Sequence, residues 1–148
     1  MNIVPYEVWS CGDYNNDSSI FTAPDGYIEI SRECSANLEK SIKITKLTDD
    51  YAYITMNNNR FSCEPNKTYT VSIDVKLIHA SCYMAFITLD SSLSEIQRRA
   101  ITVPETNNQH CTISINASED TSFVRLLLRL SGDEGSYILF DNISIITQ

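Results

Sequence analysis

Arg125 and Arg129 stand four residues apart in the stretch FVRLLLRL, where Phe123 and Leu127 share their period-two face. A guanidinium carries five N–H donors in a rigid fork and pairs bidentately with carboxylates and phosphates. Two of them on one strand face describe a surface for an acidic group, from a sugar or from a protein. The same pattern also suits an exposed face whose arginines pair with the chain's own acids. A second oddity lies in YILFDNISI, where Asp141 and Asn142 interrupt an otherwise apolar strand. A carboxylate near a core must be paired, hydrogen-bonded or bound to a metal. The alternative is a β-bulge, where Asp141 accepts hydrogen bonds from backbone amides.

Other chemistry is sparse. The histidines are His79 and His110, and with Cys82 and Cys111 their spacing matches no standard zinc pattern. There is no nucleophile elbow, P-loop or dinucleotide fingerprint, so a non-catalytic role is expected. The net charge of -8 and pI near 4.6 argue against nucleic acid or an anionic membrane surface as partner, and suit cation binding. No stretch approaches the roughly 20 apolar residues of a membrane span, and the opening NIVPYEVW does not read as a signal peptide. The five cysteines, Cys11, Cys34, Cys63, Cys82 and Cys111, are odd in number and widely spaced, so free thiols and a reducing compartment are expected.

The elements that position these residues read as strands. TVSIDVKL alternates with Val71, Ile73, Val75 and Leu77 on one face, and FVRLLLRL with Val124, Leu126, Leu128 and Leu130. CTISIN, YIEI, SIKI and YAYITM add shorter strands, separated by the turn chemistry of APDG, EPNK, PETNN and SGDEGS. The best helical candidate, SSLSEIQRRA at 91–100, is short. Eight to ten such strands predict an all-β fold, an antiparallel β-sandwich or jelly roll, as one domain over 1–148. Val71, Ile73, Val75, Val124, Leu126 and Leu128 are its expected core.

The order NIVPYEVW, DGYIEI, SIKI, EPNKTYTVSIDVK, TISINASEDTSFVRLLLRL and GSYILFDNISI covers nearly the whole chain. It resembles the jelly-roll carbohydrate-binding modules of families four, nine and twenty-two. The resemblance implies a structural calcium ligated by Asp141, with the Gly26 carbonyl and Glu7 as partners, and calcium does take oxygen ligands of these kinds. It also implies that a concave sheet carries the ligand. Arg125 and Arg129 then fall where some relatives carry glutamines, Asn59 falls near a cleft-facing position, and Tyr53, Met84 and Phe86 supply an apolar floor. Trp9 is expected in the core.

Two functions follow as expectations. The first is a binding or structural module on a virion surface, a phage decoration, fibre or adhesion protein made in the host cytoplasm, with virion subunits or a cell-surface glycan as partners. It draws on the apparent absence of an export signal and the unpaired thiols. The second is an extracellular one, the glycan-binding module of a secreted carbohydrate-active enzyme or adhesin. Neither involves nucleic acid or membrane insertion.

Overall fold

The computed structural model describes residues 1–9, 14–31, 33 and 40–147, so Cys11 and Cys34 lie outside the described residues. Among the described residues a short helix α1 (Tyr6–Trp9) is followed by nine strands: β1 (Phe21–Thr22), β2 (Gly26–Ser31), β3 (Ser41–Lys46), β4 (Ala52–Met56), β5 (Phe61–Ser62), β6 (Thr68–Leu89), β7 (Glu95–Val103), β8 (Thr106–Asn116) and β9 (Phe123–Thr147). The stretch expected as a helix at 91–100 is instead a turn at 91–94 followed by the first part of β7. Its side chains are exposed on both faces, so the alternation that marks a half-buried strand is missing there.

The two long strands organise everything else. β6 and β9 run antiparallel to each other from Tyr69↔Thr147 to Leu89↔Phe123. Their outer halves, with β8, β3 and β2, form a first sheet. Their inner halves, with β7, β4, β5 and β1, form a second. All pairings are antiparallel, and the apolar faces of the two sheets meet in one cluster that includes Ile42, Val71, Ile73 and Val75 from the first and Ile54, Phe61, Val124, Leu126 and Leu128 from the second. The Phe21 and Phe140 rings, one from each sheet, sit edge-on at 5.5 Å. The all-β jelly-roll expectation holds, and all six expected core residues are buried.

Both long strands cross between the sheets at a common corner. On β6 the corner is His79, held at φ 54°, and on β9 it includes Gly132 at φ 147° and Gly135 at φ 91°. SGDEGS, read from sequence as a solvated hairpin, is exposed at 133–135 but does not reverse the chain. It is the bend inside β9, and the Glu134 amide there donates to Asp49 Oδ1 at 2.8 Å.

A strand has a strict side-chain period of two, so one extra residue exchanges its faces. Before His79 the buried residues of β6 are Val71, Ile73, Val75 and Leu77; after it the core side chains are Ala80, Cys82, Met84 and Phe86. β9 repeats the device at Asn142, which sits at φ 55°: Ile138 and Phe140 face the core before it, Ile143 and Ile145 after it. The Asn142 side-chain amide donates to Asp74 Oδ2 at 2.8 Å, and Asp74 Oδ1 lies 2.6 Å from His110 Nδ1.

Trp9 departs from expectation. It is 43% exposed, edge-on to Tyr6 at 5.0 Å, while Val8 supplies the buried side chain of α1. Among the described cysteines, Cys63, Cys82 and Cys111 are free thiols. Burial pushes the Cys82 thiol up to about 12 and the Cys63 thiol up to about 11, which keeps both as weakly nucleophilic thiols at neutral pH.

Candidate functional site: the outer face of the second sheet

Register across β7, β6, β9 and β4 places a band of side chains on the second sheet's outer face. One row runs Thr102, Tyr83, Arg129, Tyr53; the next Ala100, Ala85, Leu127; the next Arg98, Ile87, Arg125; the last Glu95, Leu89, Phe123. Ala85, Ile87 and Leu89 form the floor and are fully buried beneath Tyr83, Phe123 and Leu127. Above it stand half-buried Arg125 and Arg129, exposed Arg98, and Tyr51 and Tyr53 at 49% and 45% exposure.

Arg129 is held between two rings, its guanidinium carbon 4.4 Å from the Tyr51 centroid and 4.6 Å from that of Tyr83. Tyr51 in turn sits edge-on to Tyr53 at 6.4 Å. Arg125 donates from Nε to the Asn59 carbonyl at 2.8 Å. Arg60 lies over the Phe123 ring at 5.4 Å. Arg98 forms a two-point pair with Glu95, at 2.7 and 3.2 Å, and also donates to the Tyr83 hydroxyl at 3.2 Å. That pairing holds the Glu95 carboxyl below the usual carboxylate range and raises the Arg98 guanidinium further. Among the described residues neither Arg125 nor Arg129 has a carboxylate within ion-pair distance.

Of the residues expected here, Arg125, Arg129 and Tyr53 share this face. Asn59 borders it through its backbone carbonyl, in a turn whose Asn57, Asn58 and Asn59 all have positive φ. Phe86 and Met84 do not belong to the face. Both are fully buried between the sheets, because the extra residue at His79 turns them inward. Sequence reasoning missed Tyr83, Ile87, Arg98 and Tyr51. The first two come from the same face exchange, and the signal for Tyr51 was its period-two spacing from Tyr53.

No protein-family model and no curated protein matches the chain by sequence. Solved structures do. The enzymatically active domain of tailspike protein 4 from bacteriophage CBA120 matches with a TM-score of 0.78 at 15% identity, over 99% of this chain and 21% of the tailspike chain. The chain thus spans about a fifth of that protein. A family 16 carbohydrate-binding module matches at 0.61 with 15% identity, over 84% of this chain and 89% of the module. The xylan-binding family 22 module of Paenibacillus barcinonensis Xyn10C matches at 0.59 with 18% identity, over 86% and 85%.

The fold is that of the jelly-roll carbohydrate-binding modules.

A carbohydrate-binding-module fold brought with it the expectation of calcium at Asp141, Gly26 and Glu7, and the residues present do not fit that set. Gly26 pairs with Lys46, one step beyond the Thr45↔Tyr137 pairing, so it is level with Ser136 on β9. Asp141 lies five residues farther along, about 16 Å at strand rise. Oxygens around one calcium lie within about 5 Å of each other. The Gly26 position faces instead the buried Lys46, whose ammonium is held by the Thr48 carbonyl at 2.9 Å and by the Asp50 carbonyl. Glu7 is exposed on α1. Among the described residues no group of three or more His, Cys, Asp or Glu gathers that could hold a metal ion.

Proposed function

We propose that the chain is a non-catalytic glycan-binding module displayed on a virion surface, with the outer face of the second sheet as its binding face. One observation carries the binding reading: Arg129 is fixed between Tyr51 and Tyr83, with Tyr53 beside them. Sugar recognition needs flat apolar rings for the sugar's C–H faces and planar polar groups for its hydroxyls, and this row offers both. Tyr53, Tyr83, Arg125 and Arg129 are the binding residues, with the Asn59 carbonyl fixing Arg125.

The virion setting is supported by the likeness to a phage tailspike, which extends over 99% of the chain at the TM-score of 0.78. Virion subunits are then its protein partners. The likeness to a xylan-binding module supports a second setting, the extracellular module of a carbohydrate-active enzyme or adhesin. A glycan array tests the binding reading. Wild-type signal lost in Tyr83→Ala and in Tyr53→Ala, with unchanged melting temperature, supports it; signal that survives both overturns it. Mass spectrometry of purified particles from the producing cells tests the setting, since the chain should co-purify with tail or capsid subunits.

A further inference from the structure

The arginines of the binding face restrict what it can bind, and we infer that the ligand is an acidic polysaccharide, with acid groups recurring along the chain. The inference rests on the glycan-binding reading above and names its substrate class. Four of the six arginines in the sequence, Arg60, Arg98, Arg125 and Arg129, gather on or beside this face in a chain whose net charge is -8. Register sets Glu95 beside them; it is ion-paired with Arg98, and Arg125 acts on it only at longer range. Arg125 and Arg129 have no acid of their own among the described residues.

The hydrogen-bonding inventory points the same way. Guanidinium groups donate and never accept. A neutral sugar hydroxyl is satisfied by a mixture of donors and acceptors, whereas a carboxylate or sulfate takes donors alone. The two arginines that lack an ion-pair partner among the described residues are also kept apart. Arg125 is tied toward Asn59 and Arg129 is clamped between Tyr51 and Tyr83, and their positions on β9 are about 13 Å apart at strand rise. A single acid group does not serve both; an extended polyanion does. A protein partner fits less well. The apolar floor of Ala85, Ile87 and Leu89 is already fully buried, so a protein covering the face would gain little of the apolar core that interfaces build on.

The test is affinity electrophoresis and calorimetry of the whole chain against polygalacturonate, dextran sulfate, neutral xylan and neutral β-glucan. Polygalacturonate, dextran sulfate or both should bind, more weakly as salt is raised, since exposed charge pairs are screened beyond about 10 Å at 0.1 M. Arg129→Gln and Arg125→Gln should each weaken binding at least tenfold. Arg129→Lys, which keeps the charge but not the stacked fork, should also weaken it. Arg99→Gln, whose position opposite Phe86 puts it on the other face of β7, should change nothing. Melting temperature checks that each variant folds. Binding of xylan or β-glucan with no binding of either polyanion overturns the acidic ligand and leaves the glycan module standing. Polyanion binding indifferent to both Arg→Gln changes overturns the assignment of this face. If no polymer binds while a protein from purified virions does, the glycan reading itself fails.

Discussion

Gly132 and His79 meet where the two long strands cross from one sheet to the other. A Cβ on Gly132 would lie 2.7 Å from the His79 carbonyl oxygen and 2.9 Å from Ser136 Oγ. The backbone at Gly132 is at φ 147° as well. Gly132→Ala is therefore expected to cost at least about 2–3 kcal/mol by steric contact with backbone plus strain. Gly135, at φ 91° with nothing within 4 Å of an added Cβ, is the control. Gly135→Ala should cost only the conformational term, about 1–2 kcal/mol. Urea denaturation of both variants checks the order.

Phe86 and Tyr53 separate packing from binding. Phe86 is fully buried between the sheets, and Phe86→Ala should destabilise by about 3–5 kcal/mol. Tyr53 is 45% exposed on the outer face, and Tyr53→Ala should move stability by under about 1 kcal/mol while weakening glycan binding. Chemical denaturation beside a binding isotherm for each variant reads both effects.

Glu33 carries a pH dependence. Its Oε1 accepts from the Tyr137 hydroxyl at 2.6 Å, and Lys43 and Lys76 lie 3.5 and 3.4 Å away. The Tyr137 bond is the main cause holding the Glu33 carboxyl below its ordinary range, with the lysines adding to it; the same bond pushes the Tyr137 hydroxyl up to about 12. A lowered carboxylate stabilises the fold above its unfolded pKa, and that contribution is lost as pH falls through the folded value. A raised tyrosine stabilises below its unfolded pKa and loses its contribution as pH rises toward about 12. Glu33→Gln should flatten the stability profile below about pH 5. The amplitude should stay under about 1 kcal/mol, because the Glu33 side chain is 37% exposed and its pairs are screened. Denaturation midpoints across acidic pH test this.

Asn142 makes its own backbone test. Asn is among the few residues that occupy its left-handed conformation at low cost, and its side chain also bonds Asp74. Asn142→Val should cost about 2–3 kcal/mol and Asn142→Gly distinctly less. Since Gly26 and Asp141 are too far apart to share an ion, calcium and chelator should leave the melting temperature of the wild type unchanged. A calcium-dependent shift abolished in Asp141→Ala would restore the metal reading.

The faces of two stretches were legible in the sequence because nothing interrupts their alternation: Val71 to Leu77, and Val124 to Leu130. Arg125 and Arg129 fall on the second, so their shared face was readable. The resemblance put Met84 and Phe86 on the ligand-bearing face, whereas the extra residue at His79, which leaves no compositional mark, turns them into the core. At Asn142 the sequence did carry a mark, since Asp-Asn inside an apolar strand left a bulge and a metal ligand as the two readings. β7 was illegible as a strand because an edge strand exposed on both faces has no period-two burial to print on its sequence. Arg129's clamp between Tyr51 and Tyr83 depends on three strands meeting, and pairwise proximity across about 30–80 residues of chain is not written locally.

The sharing of β6 and β9 by both sheets has a consequence for how the chain is born. The first sheet needs residues up to Thr147 to seat β6 against β9, and the second needs Phe123 to Gly132 before β4, β5 and β6 are joined. On the ribosome, a chain halted before β9 can form the pairs β1–β4, β2–β3, β6–β7 and β6–β8 but can complete neither sheet. The apolar faces of β3, β4 and β6 then wait, uncovered, for the last strand to leave the exit tunnel. Non-local pairing of this kind slows folding and lengthens exposure to aggregation. Synthesis of this protein should therefore lean on chaperones that hold the nascent chain until β9 closes both sheets in one step.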